Sequence, residues 1–273
     1  MQHFQKEILT EAIFQIMKSK TIILIHGLFV NNTSWAEWKK YFETKGYRVY
    51  APANPGHEGV PSELRQNIHP DLVKTGFEKV VFNIVQLIDS LPEKPIVIGH
   101  SLAGLVVQKL VELGKVEAGI SIDGAPPKNI IAPFQTVKIV WPVVNFIKGN
   151  SPFMGSKDWY HRAFFNNYSQ AESDAFYEIF AVPESRKIAR DTLLTSFEKI
   201  NFSKSHVPLL FIAGGNDAIF PAAFTAKIAH SYTDPNSRVD LKVFEGRSHF
   251  ICAEQGWEEV VEFIYQWIKK DGN

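Results

Sequence analysis

The chain has 273 residues, 45% of them hydrophobic and 21% charged, and Lys+Arg and Asp+Glu both number 29. That composition suits one large globular domain carrying an inserted subdomain, and it offers neither a basic block for nucleic acid nor an acidic tail. A single cysteine, Cys252, excludes an internal disulfide and any cysteine-based zinc cluster.

Near the N-terminus, Phe4, Ile8, Ala12 and Ile16 fit helical spacing, while Ile8 to Ile16 also fits part of a hairpin. Lys6, Glu7, Glu11 and Lys18 interrupt any secretory apolar core. The apolar run Thr21 to Val30 contains His26 and Gly27 and is too short to span a bilayer. The expectation is a cytoplasmic protein without a membrane span.

Thr21 to Ile25 reads as a buried strand ending in His26-Gly27-Leu28-Phe29. Trp35 to Lys45 reads as an amphipathic helix stopped by Gly46, and Tyr47 to Ala51 as a second strand. The loop Pro52 to Gly59 is rich in breakers, and a polar stretch follows it. A helix is expected over Asp71 to Ser90, with Val73, Phe77, Val80, Val81, Ile84, Leu87 and Ile88 on one face. Pro95 to Ile98 is a third strand, a helix begins near Leu102, and Ala118 to Ile122 is a fourth strand ending at Asp123. Continuous apolar strands alternating with helices predict a mostly parallel sheet covered on both faces.

The alternation then lapses. Aromatic-rich helical segments are expected over Phe134 to Ile147, Trp159 to Asn167, Ala171 to Phe180 and Glu184 to Phe197, in a stretch with no sheet of its own. Strand and helix alternate again from Val207 to Ala213, through Ala222 to Ser231 and Val239 to Phe244, to a last helix over Trp257 to Lys269. Residues 1–126 and 206–273 therefore read as a core, and 127–205 as a helical cap. Aromatics that pack such a cap on the core would also line a pocket, so Phe29, Trp159 and Phe165 are candidate substrate contacts.

Ser101 lies where the third strand turns into a helix, with Gly99 and Ala103 two residues to either side. A serine on such a turn is lifted clear of the sheet, and the helix start beside it offers free N–H groups to an oxyanion. A serine nucleophile needs a base, and the base an orienting carboxylate. His249 follows the strand Val239 to Phe244, and Asp217 follows the strand Val207 to Ala213. Asp123 also ends a strand and competes with Asp217 for the acid role. No His/Asp/Glu grouping has metal-ligand spacing and no glycine-rich loop fits a phosphate, so neither metal nor cofactor is expected.

Gly99-His100-Ser101-Leu102-Ala103, His26-Gly27, Pro55-Gly56-His57-Glu58-Gly59, Gly214-Gly215-Asn216-Asp217 with Pro221, and Gly246-Arg247-Ser248-His249-Phe250 occur together, in an order that resembles the α/β-hydrolase family. The resemblance runs from His26 to Trp267 and departs from the family pattern at Ala103, where glycine is usual. It implies Ser101 as nucleophile, His249 as general base and Asp217 as its orienting acid. It also implies an oxyanion hole from the backbone N–H groups of Leu102 and Leu28, with Phe29 as the alternative to Leu28. His26 is expected to brace the oxyanion loop, and His100 to pack behind the serine. The implied activity is hydrolysis of a small-molecule ester with an apolar or aromatic group, through an acyl-enzyme, by a monomer or homodimer. C–C bond hydrolysis, cofactor-free peroxidase and hydroxynitrile lyase chemistry share that triad, and a non-catalytic ligand receptor shares the fold.

Overall fold

The computed structural model describes residues 19–270. The ambiguous Phe4 to Met17 segment lies outside the described residues. Strands β1 (Thr21–Ile25), β2 (Arg48–Tyr50), β3 (Ile96–His100) and β4 (Ala118–Ile122) lie close to their expected positions. So do the later strands β7 (Leu209–Gly214) and β8 (Val239–Phe244). The six form one sheet in the order β2-β1-β3-β4-β7-β8, and every neighbouring pair is parallel.

The apolar strands serve both faces because successive side chains alternate. Ile23 and Ile25 of β1 and Val97 of β3 join one core cluster, while Ile22, Leu24, Ile96 and Ile98 join the other. Helices α3 (Phe77–Asp89) and α4 (Leu102–Glu112) cover the first face. Helices α1 (Ala36–Thr44) and α10 (Trp257–Lys270) cover the second, through Trp38, Phe42, Val260, Ile264 and Trp267. α10 buries one stripe, opens with Glu258 and Glu259 and closes with Lys269 and Lys270, which complements the helix dipole at both ends. α9 (Ala222–Ala229) joins β7 to β8.

Two expectations are corrected before the sheet is complete. The polar stretch after Gly59 contains a short helix, α2 (Pro61–Gln66), whose Pro61 sits in its first turn, where a missing N–H costs nothing. The helix expected over Asp71 to Ser90 is broken: Leu72–Lys74 form a 3₁₀ turn, and α3 starts at Phe77. The break has a tertiary cause. Asp191, distant in sequence, accepts the Phe77 N–H at 3.1 Å, and a Cβ on Gly76 would lie 2.2 Å from that carboxylate.

Between β4 and β7 the chain leaves the sheet for helices α5 (Phe134–Val144), α6 (Lys157–Ala163), α7 (Gln170–Phe180) and α8 (Arg186–Leu194). This segment does have a sheet of its own, against expectation: β5 (Pro152–Phe153) pairs antiparallel with β6 (Glu184–Ser185). The ladder extends Glu184 and Ser185, so α8 begins two residues later than the sequence suggests. Arg186 and Arg190 of α8 donate to the carbonyls of Pro142, Val143, Val144 and Asn145, which fixes the C-terminal end of α5.

Candidate active site

Ser101 follows β3 at φ 58°, ψ −121°, a conformation costly for any residue with a side chain. The surroundings enforce it. Ser101 N–H donates to Ile122 O, and its carbonyl accepts from Gly104 and Ala125. The turn is so tight that a Cβ on Gly99 would lie 2.3 Å from Ala103 O, and one on Gly27 would lie 2.7 Å from the Ser101 Cβ.

His249, on the loop after β8, places Nε2 at 2.9 Å from Ser101 Oγ and Nδ1 at 2.8 Å from Asp217 Oδ2. A carboxylate can only accept here, so Nδ1 carries the proton and Nε2 is free to accept from the serine hydroxyl. Asp217, on the turn after β7, is itself held by the N–H groups of Ile219 and Phe220, at 2.7 and 2.9 Å on Oδ1. All three side chains are buried. The three expected residues, far apart in sequence, thus form one hydrogen-bonded chain at the C-terminal edge of the sheet.

Asp123 stands against that chain, its carboxyl interacting with that of Asp217. Its Oδ1 accepts the Gly214 N–H at 2.7 Å, and Oδ2 has no donor. Burial first, and then the neighbouring Asp217 charge, push its pKa well above the carboxylate range. His100, Asp123 and His249 lie close enough together to suggest a cation site. Both nitrogens of His249 are already engaged by Ser101 and Asp217, so a metal would have to dismantle the chain.

The other histidines have supporting positions. His100 donates from Nε2 to the His249 carbonyl at 2.7 Å, and its pKa is pushed down to about 3 by burial and by His249. His26 accepts the Asn54 N–H on Nε2 at 2.9 Å and so donates from Nδ1 to Gly27 O at 2.8 Å. Burial, reinforced by His57, pushes its pKa down to about 3, so it links two loops as a neutral ring. Cys252 is buried, and burial raises its thiol well above the ordinary value, which disfavours the thiolate.

Leu28 and Leu102 both border the space in front of Ser101, and neither N–H has an acceptor among the described residues. Phe29, the alternative donor, is occupied: its N–H points to Glu184 Oε2 at 3.3 Å. Phe29 also has a positive φ of 69°, and its carbonyl accepts from Val182 N and the Tyr160 hydroxyl, both at 3.1 Å. The β4–β7 segment therefore grips the loop that presents Leu28.

A cavity of about 180 Å³ opens over Ser101. Its walls come from the core and from α5, α6 and α8, and none of its side chains is charged. Two lining hydroxyls, Thr136 and Thr192, are spent on the carbonyls of Ile219 and Ala189. Of the expected substrate contacts, Phe29 and Trp159 line this cavity. Phe165 does not line it; it is buried beneath Tyr160, Phe176 and Phe250. Its neighbour Phe164 lines the cavity instead, with its ring 5.2 Å from that of His249, and Phe220 packs on the same imidazole at 5.6 Å. Helical periodicity alone could not separate Phe164 from Phe165, since α6 ends at Ala163 and both follow it.

The chain belongs to the alpha/beta hydrolase family, whose model matches residues 22–263. It is 23% identical over 260 residues to the non-heme chloroperoxidase CPO-A1 of Kitasatospora aureofaciens, covering 89% of each protein. Its fold is similar to that of the Paleococcus ferrophilus monoacylglycerol lipase, with TM-score 0.65 and 19% identity over 92% of this chain and 94% of that one. A variant of tomato methylketone synthase I gives TM-score 0.69 and 16% identity, covering 94% of this chain and 100% of the other. A pyrethroid hydrolase from Sphingobium faniae gives 0.65 and 18%, covering 91% and 97%. No described helix is long and apolar enough to cross a membrane.

Proposed function

We propose that the protein is a serine hydrolase that cleaves small esters with an apolar or aromatic group. The observation that carries this reading is the Ser101–His249–Asp217 chain at the floor of an uncharged cavity. Ser101 Oγ attacks the ester carbonyl while His249 Nε2 takes its proton. Asp217 holds the imidazole in the useful tautomer and stabilises the imidazolium. The Leu28 and Leu102 N–H groups receive the oxyanion, each donor contributing about 3 kcal/mol to the transition state. His249 returns the proton to the departing alkoxide. It then activates a water that opens the acyl-enzyme. Residues 127–205 form the cap that supplies most of the apolar wall, and the described residues of 1–126 and 206–273 form the catalytic core.

A fluorophosphonate probe should label Ser101, read by mass analysis of the modified peptide, and a panel of activated esters should give burst kinetics. Equal labelling of the Ser101→Ala protein would place the nucleophile elsewhere. A second reading draws on the similarity to the non-heme chloroperoxidase. In that reading hydrogen peroxide opens the acyl-enzyme in place of water and releases a peracid, which requires no metal. Peracid formation from a simple carboxylic acid and hydrogen peroxide, abolished in Ser101→Ala, would establish it.

A further inference from the structure

The rim of the cavity is unusual for a surface in water. Ile131, Phe134 and Ile147 are 84%, 82% and 95% exposed, and Trp141, Phe146 and Leu193 are each at least half exposed. These residues come from the approach to α5, from α5 itself, from the turn after it and from the end of α8, which packs beside it. Most of the large exposed apolar side chains among the described residues fall in this one region. Scattered singly they would need no explanation, but a contiguous apolar patch marks a surface that meets something apolar.

Two further observations say what it meets. The patch is continuous with the cavity, because Trp141, Phe146 and Leu193 belong both to the exposed rim and to the lining that runs down to Ser101. On the stretch that supplies most of the patch, the charge has one sign. Residues 127–150 contain Lys128, Lys138 and Lys148 and no Asp or Glu. Lys138 and Lys148 are exposed beside the apolar side chains. Arg186 and Arg190, just behind, donate to the carbonyls at the end of α5. That anchoring also makes α5 a fixed platform. Exposed apolar and aromatic side chains fringed by lysine fit a surface with an apolar interior and an anionic skin.

We infer that this rim docks on an anionic lipid surface, so that the cavity mouth opens into the acyl region and Ser101 is reached from the lipid side. Phe134, Trp141, Phe146 and Ile147 enter the headgroup boundary, and Lys138 and Lys148 meet the phosphates. The substrate would then be an acyl ester dissolved in that surface. This last part rests on the proposed serine hydrolase chemistry, whereas the docking itself does not.

The test is flotation of the full-length protein with vesicles of phosphatidylcholine alone or with added phosphatidylglycerol, in parallel with turnover of a soluble short-chain ester. Wild type and Ser101→Ala should float equally with the anionic vesicles and far less with the neutral ones, and added salt should weaken the binding. Lys138→Glu/Lys148→Glu should weaken anionic-vesicle binding at least about 30-fold, roughly fivefold for each lysine charge lost. Phe134→Ser/Ile147→Ser should weaken it by a comparable factor. Neither pair lines the cavity, so both variants should keep wild-type turnover of the soluble ester, which also verifies that they fold. Failure of the wild type to bind either vesicle, or binding unchanged in both variants, would overturn the inference. So would a dimer in sedimentation that Phe134→Ser/Ile147→Ser dissociates, since a second copy would then cover the patch. Vesicle binding without ester turnover would instead count against the hydrolase reading alone.

Discussion

Asp217 and Asp123 stand beside the same imidazole edge of the sheet, yet only one bonds to it. Asp217 reaches His249 at 2.8 Å and is fed by two backbone N–H groups, while Asp123 leaves one oxygen without a donor. Under the proposed chemistry Asp217→Asn should cut ester kcat by about 10⁴-fold, because the amide favours the wrong histidine tautomer. Asp123→Asn should leave kcat within a few-fold; a dead Asp123 variant with a live Asp217 variant would reverse the assignment. Asp123 carries a separate prediction about stability. Its folded-state pKa is raised, first by burial and then by Asp217, so the folded protein holds a proton that the unfolded chain releases. Stability associated with this group is therefore lost as pH rises from the ordinary carboxylate value of about 3.9 towards the raised value. Denaturant titrations of wild type and Asp123→Asn should show the variant gaining relative to wild type across that window.

Between elements, the loop that carries Leu28, the proposed oxyanion donor, is held from outside the core. Tyr160 of α6 donates to the Phe29 carbonyl, Val182 N–H joins it, and Glu184 of β6 accepts the Phe29 N–H. Tyr160→Phe removes one buried hydrogen bond and should cost about 1 kcal/mol of stability. Under the proposed chemistry its larger effect should fall on kcat with little change in KM, since the loop would present Leu28 to a charge that exists only in the transition state. Glu184 also faces His57 at 3.1 Å, both side chains being buried. The attraction is chiefly coulombic, with the side-chain contact to Glu184 second. Burial opposes charge on His57, but the Glu184 carboxylate outweighs it and the pKa is raised. The pair therefore stabilises the fold fully below the ordinary histidine value of about 6.5 and fades as pH climbs through the raised value. His57→Gln should lower Tm most near pH 6 and progressively less in alkaline buffer; a constant difference in Tm would remove the ion pair from the account.

Across the whole molecule, the polar chain sits on the sheet and the apolar wall is built mainly by the segment between β4 and β7. Chemistry and substrate preference should then separate. Trp159→Ala enlarges the cavity without touching Ser101, His249 or Asp217, and its ring lies 4.9 Å from Phe29. The variant should shift preference towards longer or bulkier acyl groups while fluorophosphonate labelling of Ser101 persists. Phe165→Ala should instead behave as a core truncation, costing about 3–5 kcal/mol with little change in preference. Thermal melts and ester profiles of the two variants distinguish these outcomes, and matching shifts in preference would mean that Phe165 reaches substrate after all.

Much of this was present in local sequence. The four inner strands β1, β3, β4 and β7 are runs buried along their whole length, so composition alone marks them, whereas the edge strands β2 and β8 carry charge, and β1, β4 and β8 end where their patterns end. Ser101, Asp217 and His249 were each legible from a turn at a strand's C-terminal end, because parallel strands bring all such turns to one edge of the sheet. The rest depended on contacts that local pattern does not encode. The break before α3 is set by Asp191, the grip on Phe29 by Glu184, and the choice of Phe164 over Phe165 by which ring the chain turns towards His249. Such contacts join residues 85 to 155 positions apart. Periodicity reports which face of an element is apolar; only the packed chain decides what that face meets.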